Sequence, residues 1–439
     1  MGTGFVGLVY GAVMANFGHS VICMDKDEQK IRLLQMGNSP IYEPDLIPLL
    51  HYGLESSNLS FTSSLEECVE YSDIIVIAIG TPTGPDGNAD VTDVISAAQL
   101  IGKVMRSDKL VVCKSTVPVG TCRRISGEIE KQLLARNMDL QIEVASNPEF
   151  LRQGKAVEDC ISPSRVIIGT ETTQAKRLLQ ELYLMYDQER IPILYTGFET
   201  AELIKYASNS FLAVKISFAN ELAWLSERAG ANIQDVVTGM GFDERISPAF
   251  LEAGAGYGGS CFPKDTRALV ETAVKYNAPM RIVESAITAN ETHKARMVQN
   301  IINTLSVHND MKPLTVGVLG LSFKPETDDI RSAPSYDIIK GLLNHGLTIN
   351  VYCPKGMRQA KMSWTDLNES IHYCENEAEC ANHADALVLV TEWNQFRTLE
   401  WTEIRAGMRH NYFFDLRNMF ARETSVTELF NYYAVGVGA

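Results

Sequence analysis

The chain has 439 residues, 45% hydrophobic and 21% charged, which is more than one ordinary domain holds and excludes disordered or collagen-like order. Its 39 basic against 54 acidic side chains give a formal charge of −15, so a phosphate polymer meets net repulsion and no nucleic-acid partner is expected. The longest apolar runs, such as Ile74 to Ile79 and Leu387 to Val390, fall far short of the roughly 20 residues that span a bilayer, and no basic stretch leads into an apolar leader. Neither a membrane nor a secretory route is expected.

The nine cysteines (23, 68, 113, 122, 160, 261, 353, 374 and 380) form no C-x-x-C pair. An odd count without that pattern argues against a disulfide framework or a structural zinc site and favours a reducing cytoplasm. Most of these thiols are expected to be small buried hydrophobes.

In chain order, Gly2-Thr3-Gly4-Phe5-Val6-Gly7 matches G-x-G-x-x-G, which lets backbone approach a pyrophosphate at a helix N-terminus. A strand, Val21 to Met24, follows, and Asp25 closes it eighteen residues after Gly7. A carboxylate there accepts the ribose hydroxyls and repels a 2′-phosphate, so NAD is expected rather than NADP. The fingerprint also needs a central strand ahead of Gly2, where only Met1 stands, so about half a dozen further apolar residues are expected before it.

Ile74 to Ile79, Leu110 to Cys113 and Gln141 to Ala145 read as further buried parallel strands alternating with helices, hence a doubly wound α/β domain. Gly80-Thr81-Pro82-Thr83 and Ser115-Thr116-Val117-Pro118 each follow a strand, and ligands of such sheets bind at that end. Asn147 to Gly154 follows a third strand, bringing Glu149 to the same edge.

Leu203, Ala207, Phe211, Val214, Phe218, Leu222 and Leu225 recur at three- and four-residue steps. They predict one amphipathic helix over Thr200 to Gly230, with Thr200 as N-cap and Gly230 as stop. At 1.5 Å per residue it reaches roughly 45 Å, enough to bridge two domains and offer a dimer face. Lys205 and Asn209 share one side of it. A second strand set, Leu314 to Leu319, Thr348 to Tyr352, Ala386 to Val390 and Tyr412 to Phe414, predicts a second α/β domain. The expected division is 1–195, a helical 196–305, and 306–439.

The most informative stretch is Gly254-Ala255-Gly256-Tyr257-Gly258-Gly259-Ser260-Cys261-Phe262-Pro263-Lys264-Asp265. Its glycines permit backbone to wrap a ligand, and a cation beside Cys261 favours the nucleophilic thiolate.

With Ile41-Tyr42-Glu43-Pro44, Asn147-Pro148-Glu149-Phe150-Leu151 and Phe323-Lys324-Pro325, these tracts resemble, in order and over nearly the whole chain, the UDP-glucose/GDP-mannose dehydrogenase family. The resemblance implies two Rossmann-like domains around a helical middle, and an NAD-dependent four-electron oxidation of a sugar-nucleotide C6 alcohol to a carboxylate. A carbon that gives up two hydrides needs its aldehyde retained, and a thiolate does so as a thiohemiacetal and then a thioester.

Carried over residue by residue, Cys261 is the nucleophile, and Lys205 stabilises oxyanions with Asn209 beside it. Asp265, Thr116 and Glu149 handle water and protons. The implied NAD contacts are Gly2, Gly4, Phe5, Val6, Gly7, Asp25, Lys30, Thr81, Thr116, Gln153, Lys264 and Arg331. The implied UDP-sugar contacts are Glu149, Phe150, Leu151, Arg152, Lys205, Asn209, Glu252, Tyr257, Gly258, Phe323, Lys324 and Arg417, with Arg245 reaching a neighbouring subunit of a homodimer.

Two departures stand out: Gln153 where the family has Glu, and Leu416, beside Arg417, where it has Gly. Cys-Phe-Pro-Lys-Asp, Ile41 to Pro44 and Thr391-Glu392-Trp393 look more like the UDP-glucose branch than those using GDP-mannose or UDP-N-acetylmannosamine. A catalytically impaired nucleotide-sugar binder and a single-oxidation hydroxyacid dehydrogenase are the alternatives from other classes.

Overall fold

The computed structural model describes residues 1–85, 87–306 and 314–437. They form two compact units, residues 1–208 with 271–278, and 209–270 with 279–439.

In the first unit β1 (Val21–Met24) pairs in parallel with β2 (Leu59–Thr62), while β3 (Ile74–Ile77), β4 (Lys109–Cys113), β5 (Ile142–Ser146), β6 (Val166–Gly169) and β7 (Ile193–Thr196) form a five-stranded sheet in that order. All of its neighbours are parallel except β5 and β6, which meet antiparallel at Ser146 and Gly169. β4 is buried at every position, as expected of a strand covered by helices on both faces. β1 is only half-buried.

Met1 and Gly2 link the two sheets. The Met1 amino group donates to the Val76 carbonyl (2.7 Å), Ala78 N–H donates to the Met1 carbonyl (2.9 Å), and Gly2 N–H donates to the Met24 carbonyl (2.8 Å). These bonds lie between β1 and β3. Beside them lies a cavity of about 380 Å³ lined by Tyr10, Met14, Val21, Cys23, Ile74 and Val76 among others.

In the second unit a six-stranded, all-parallel sheet contains β8 (Thr315–Leu319), β9 (Thr348–Tyr352), β10 (Ile371–Tyr373), β11 (Ala386–Leu389), β12 (Tyr412–Asp415) and β13 (Asn431–Ala434). Its order is β10-β9-β8-β11-β12-β13. Counted within the sheet this is 3-2-1-4-5-6, the doubly wound nucleotide-binding topology. Parallel α/β domains in the N- and C-terminal parts of the chain, with a long helix between them in sequence, are therefore present, as the strand pattern predicts.

The long helix covers Phe198–Ala229. It begins two residues ahead of the expected N-cap, so Thr200 lies inside its first turn, where propensity does not forbid it. Gly230 ends it at φ +69°, the left-handed stop that glycine provides without strain. Leu203, Phe211, Phe218 and Leu225 along it are 44%, 65%, 49% and 60% exposed, an apolar stripe left outside the core. Among the described residues no helix is long and apolar enough to cross a membrane.

Candidate functional site

The first glycine loop is shaped by close approach. A Cβ on Gly7 would lie 1.9 Å from the Gly2 carbonyl oxygen, so only glycine lets the helix Phe5–Asn16 start against that turn. Gly4 caps the helix without a side-chain bond and has open space around it, which leaves free N–H groups and room for a pyrophosphate.

Thr3 donates to Asp25 through N–H (2.9 Å) and Oγ1 (2.8 Å), and Lys30 Nζ pairs with the same oxygen at 2.9 Å. Burial opposes ionisation of Asp25, yet the bonds from Thr3, Lys30 and Asp27 outweigh it and bring the carboxyl down to about 2. Asp25 is thus a fixed anion at the end of β1, as a dinucleotide ribose requires. The cradle fits NAD. Lys30 is held by the carboxylate, and Phe5 and Val6 lie in the helix's first turn.

At the ends of β3, β4 and β5 the loops are knitted together. Thr81 Oγ1 donates to the Thr116 carbonyl (2.7 Å), and Ser115 Oγ accepts from Ile79 N–H (2.9 Å). Glu149, 7% exposed, pairs with Lys205 at 3.1 Å, and its other oxygen accepts Leu151 N–H (2.6 Å). The Phe150 ring lies under two cations, Arg165 at 3.8 Å and Lys205 at 5.2 Å. Arg152 is held instead by Asp159, through three side-chain bonds of 2.6 to 3.2 Å. Gln153 follows in the same loop.

Three further residues shape this end of the sheet. Lys114, at the end of β4, is buried with its Nζ 2.9 Å from Asn147 Oδ1 and 4.4 Å from the Tyr10 ring centre. Burial brings its ammonium down to about 8, with Glu149 and Cys160 resisting that fall and Lys205 adding to it. Asn147 Oδ1 also accepts from Tyr183 OH. Glu43 accepts from Gly154 N–H (2.7 Å) and Ala156 N–H (2.6 Å), clamping the loop that carries Glu149. Glu43 and Asn147 stand within tracts the sequence singles out, but nothing marked Lys114, whose burial is decided by packing against Tyr10.

In the second unit Cys261 immediately precedes the helix Phe262–Lys275, and Asp265 N–H donates to its carbonyl (2.8 Å). A thiolate at a helix N-terminus is favoured by the helix dipole. Of the nine thiols it is the one that is not buried. Asp265 is 1% exposed and holds Asn209 Nδ2 at 2.6 Å and Lys264 Nζ at 2.5 Å. The Arg331 guanidinium is paired with Asp329 at 2.6 Å and feels the Cys261 sulfur.

Gly259, at φ +86°, lies under Phe323, so that a Cβ would come within 2.8 Å of the ring. Gly259 N–H also donates to the Arg331 carbonyl (3.0 Å). The structure therefore gathers Asn209, Gly259, Cys261, Lys264, Asp265, Phe323 and Arg331. Tyr257 is held by Asn290, which accepts its N–H (2.9 Å), and Gly258 packs on the Ser332 carbonyl.

Arg417 lies against Gly254. Its Nε donates to the Val390 carbonyl (2.8 Å) and stands 3.2 Å from Glu392. Leu416 is 5% exposed and belongs to the hydrophobic core of this unit. Glu252 lines a cavity with Arg417 and Arg422. Lys324 Nζ is 5.8 Å from the Phe323 ring centre. Arg245 is 89% exposed at its side chain and pairs with Asp243 at 2.6 Å; in the single chain it joins none of the others.

A glycine cradle backed by a fixed ribose-type carboxylate, at the strand ends of a doubly wound sheet, defines the class: an NAD-dependent dehydrogenase. The chain belongs to the UDP-glucose/GDP-mannose dehydrogenase family, matching its NAD binding domain over residues 1–187, its central domain over 199–292 and its UDP binding domain over 317–422. It is 42% identical over 439 residues to the UDP-glucose 6-dehydrogenase of Rhizobium meliloti, covering 99% of this chain and 98% of that one. It is 39% identical over 436 residues to UDP-glucose 6-dehydrogenase TuaD of Bacillus subtilis, covering 99% and 92%. A UDP-glucose dehydrogenase structure from the archaeon Pyrobaculum islandicum superposes with a TM-score of 0.90 at 34% identity, covering 100% of this chain and 96% of that one.

Proposed function

We propose that the protein oxidises UDP-glucose to UDP-glucuronate, reducing two NAD⁺ to NADH and consuming one water per sugar. The observation that carries this reading is the setting of Cys261, the one partly exposed thiol, at a helix N-terminus beside Asp265 and Arg331.

NAD⁺, when bound, supplies the hydride acceptor. In the first oxidation C6 loses a hydride while its hydroxyl proton passes to a base of this chain. The Cys261 sulfur then adds to the aldehyde, giving a thiohemiacetal. Loss of a second hydride and of the hydroxyl proton leaves a thioester. Water breaks the C–S bond, releasing the carboxylate and restoring the thiol.

Lys205 and Asn209 supply the cation and the amide donor for each oxyanion. Asp265, Thr116 and Glu149 direct water and take protons. Gly2, Gly4, Gly7, Asp25 and Lys30 hold the dinucleotide, with Thr81, Gln153, Lys264 and Arg331 as further contacts. Phe150 to Arg152, Glu252, Tyr257, Gly258, Phe323, Lys324 and Arg417 hold the UDP-sugar. Residues 1–195, 196–305 and 306–439 serve NAD binding, dimerisation and UDP-sugar binding.

The exposed stripe of Phe211, Phe218 and Leu225 seats a second copy, and Arg245 reaches the partner's sugar site. Eight buried free thiols suit a cytoplasmic location.

The test is NADH stoichiometry with UDP-glucose, run beside UDP-N-acetylmannosamine and GDP-mannose. Two NADH per UDP-glucose are expected, and Cys261→Ser stops after the first. Free aldehyde as the wild-type end product, or full turnover by Cys261→Ser, overturns the reading.

A further inference from the structure

Away from these residues, the outer edge of the six-stranded sheet brings three different metal donors together. His372 lies in β10, Cys374 directly follows it, and Glu379 lies in the short helix Glu377–Ala381. The imidazole nitrogen, the thiol sulfur and a carboxylate oxygen all lie within 4.8 Å of one another. Zinc bonds of about 2.0 to 2.3 Å in tetrahedral geometry place ligand atoms roughly 3 to 4 Å apart, so side-chain rotation alone closes the gap.

We propose that His372, Cys374 and Glu379 bind one divalent metal ion of borderline-soft character, Zn²⁺ being the physiological type, with water completing the shell.

The backbone already fixes the donors. Asn350 is the β9 partner of His372 in the ladder, and Cys374 N–H donates to the Val351 carbonyl (2.9 Å). Glu379 N–H is capped by Asn376 Oδ1 (2.8 Å). Glu379 Oε2 accepts Glu375 N–H (2.6 Å), which turns Oε1 toward His372 Nε2 at 3.4 Å. A ligand carboxylate oriented by its own hydrogen bond is the usual outer support of a metal site.

The Cys374 thiol donates to the His372 carbonyl (3.8 Å). The His372 and Glu379 side chains are 62% and 41% exposed, which opens a path for the ion and its water. Glu375 and Glu377 add negative charge to the same turn. The mixed N, S, O set selects zinc over magnesium or calcium, which take oxygen alone. Binding converts Cys–SH and M²⁺ to Cys–S–M⁺ and one proton, released to solvent. The ion would tie the end of β10 to the helix that follows.

The test uses the full chain carrying Cys261→Ser, reduced and chelator-treated, titrated with Zn²⁺ against a chromophoric chelator and with Cd²⁺ to read thiolate charge-transfer absorbance. One equivalent with a Cd²⁺–thiolate band is expected. Affinity falls tenfold or more in Cys374→Ser and in His372→Ala, the latter exposed enough to leave folding intact, and by about tenfold in Glu379→Gln. No stoichiometric binding, or equal affinity in His372→Ala and its parent, overturns the proposal.

Discussion

Replacing Lys114 by Met removes a cation that the fold holds at a cost. Burial displaces its ammonium from the ordinary 10.5 to about 8, which corresponds to roughly 3 kcal/mol of native-state penalty. Between those values the unfolded chain binds a proton that the native chain does not, so stability rises with pH across that window. The penalty is therefore complete below about pH 8 and fades toward 10.5. Methionine keeps the length and sheds the charge, but gives up the bond to Asn147 Oδ1, worth about 1 to 2 kcal/mol. Asn147 itself stays satisfied by Tyr183 OH.

The net expectation for Lys114→Met is a gain of about 1 to 2 kcal/mol at pH 7, shrinking by roughly 1 kcal/mol at pH 9. Urea unfolding at the two pH values reads it directly. NADH formation with UDP-glucose is expected to fall at the same time, because a positive charge beside Glu149 and Lys205 is lost; stability traded for activity is the ordinary pattern at such sites. A variant less stable than wild type by the same amount at both pH values would falsify the burial argument.

Glu202→Ala should destabilise by about 2 to 4 kcal/mol, since the buried carboxylate accepts Gly120 N–H (2.6 Å) and Cys122 N–H (2.7 Å) and both donors would be orphaned; thermal unfolding measures it, and a change below 1 kcal/mol sinks the claim. Gly259→Ala combines a positive φ with a clash on Phe323, so we expect at least a tenfold loss in kcat/KM with UDP-glucose. Its NAD affinity should hold, the glycine cradle being formed by other residues; unchanged kinetics would show that the loop yields without cost.

Much of the architecture was legible because buried parallel strands are short apolar runs. Val21–Met24 and Thr348–Tyr352 fall where the pattern puts them. β2, β10 and β13 escaped, since Leu-Ser-Phe-Thr, Ile-His-Tyr and Asn-Tyr-Tyr-Ala mix polar groups into three- and four-residue edges, too brief for periodicity to register. β6 and β7, four residues each, escaped as well.

At the site, glycines and the Cys-Phe-Pro-Lys-Asp tract announced themselves because special backbone and reactive groups are rare. Lys114 did not: a lone lysine reads as solvated until tertiary packing removes the water. The grouping of His372 with Cys374 and Glu379 was hidden for a related reason, as it joins a strand end to a helix outside any repeated cysteine spacing.

Glu43 reaches the loop of Glu149 from more than a hundred positions upstream and takes two of its amides. The entropy of ordering that loop is therefore spent when the protein folds, not when a sugar nucleotide arrives. A pocket wall assembled in advance leaves the incoming molecule's contacts to act on the reacting carbon, and amide exchange at Gly154 and Ala156 should be as slow in the empty enzyme as in the filled one.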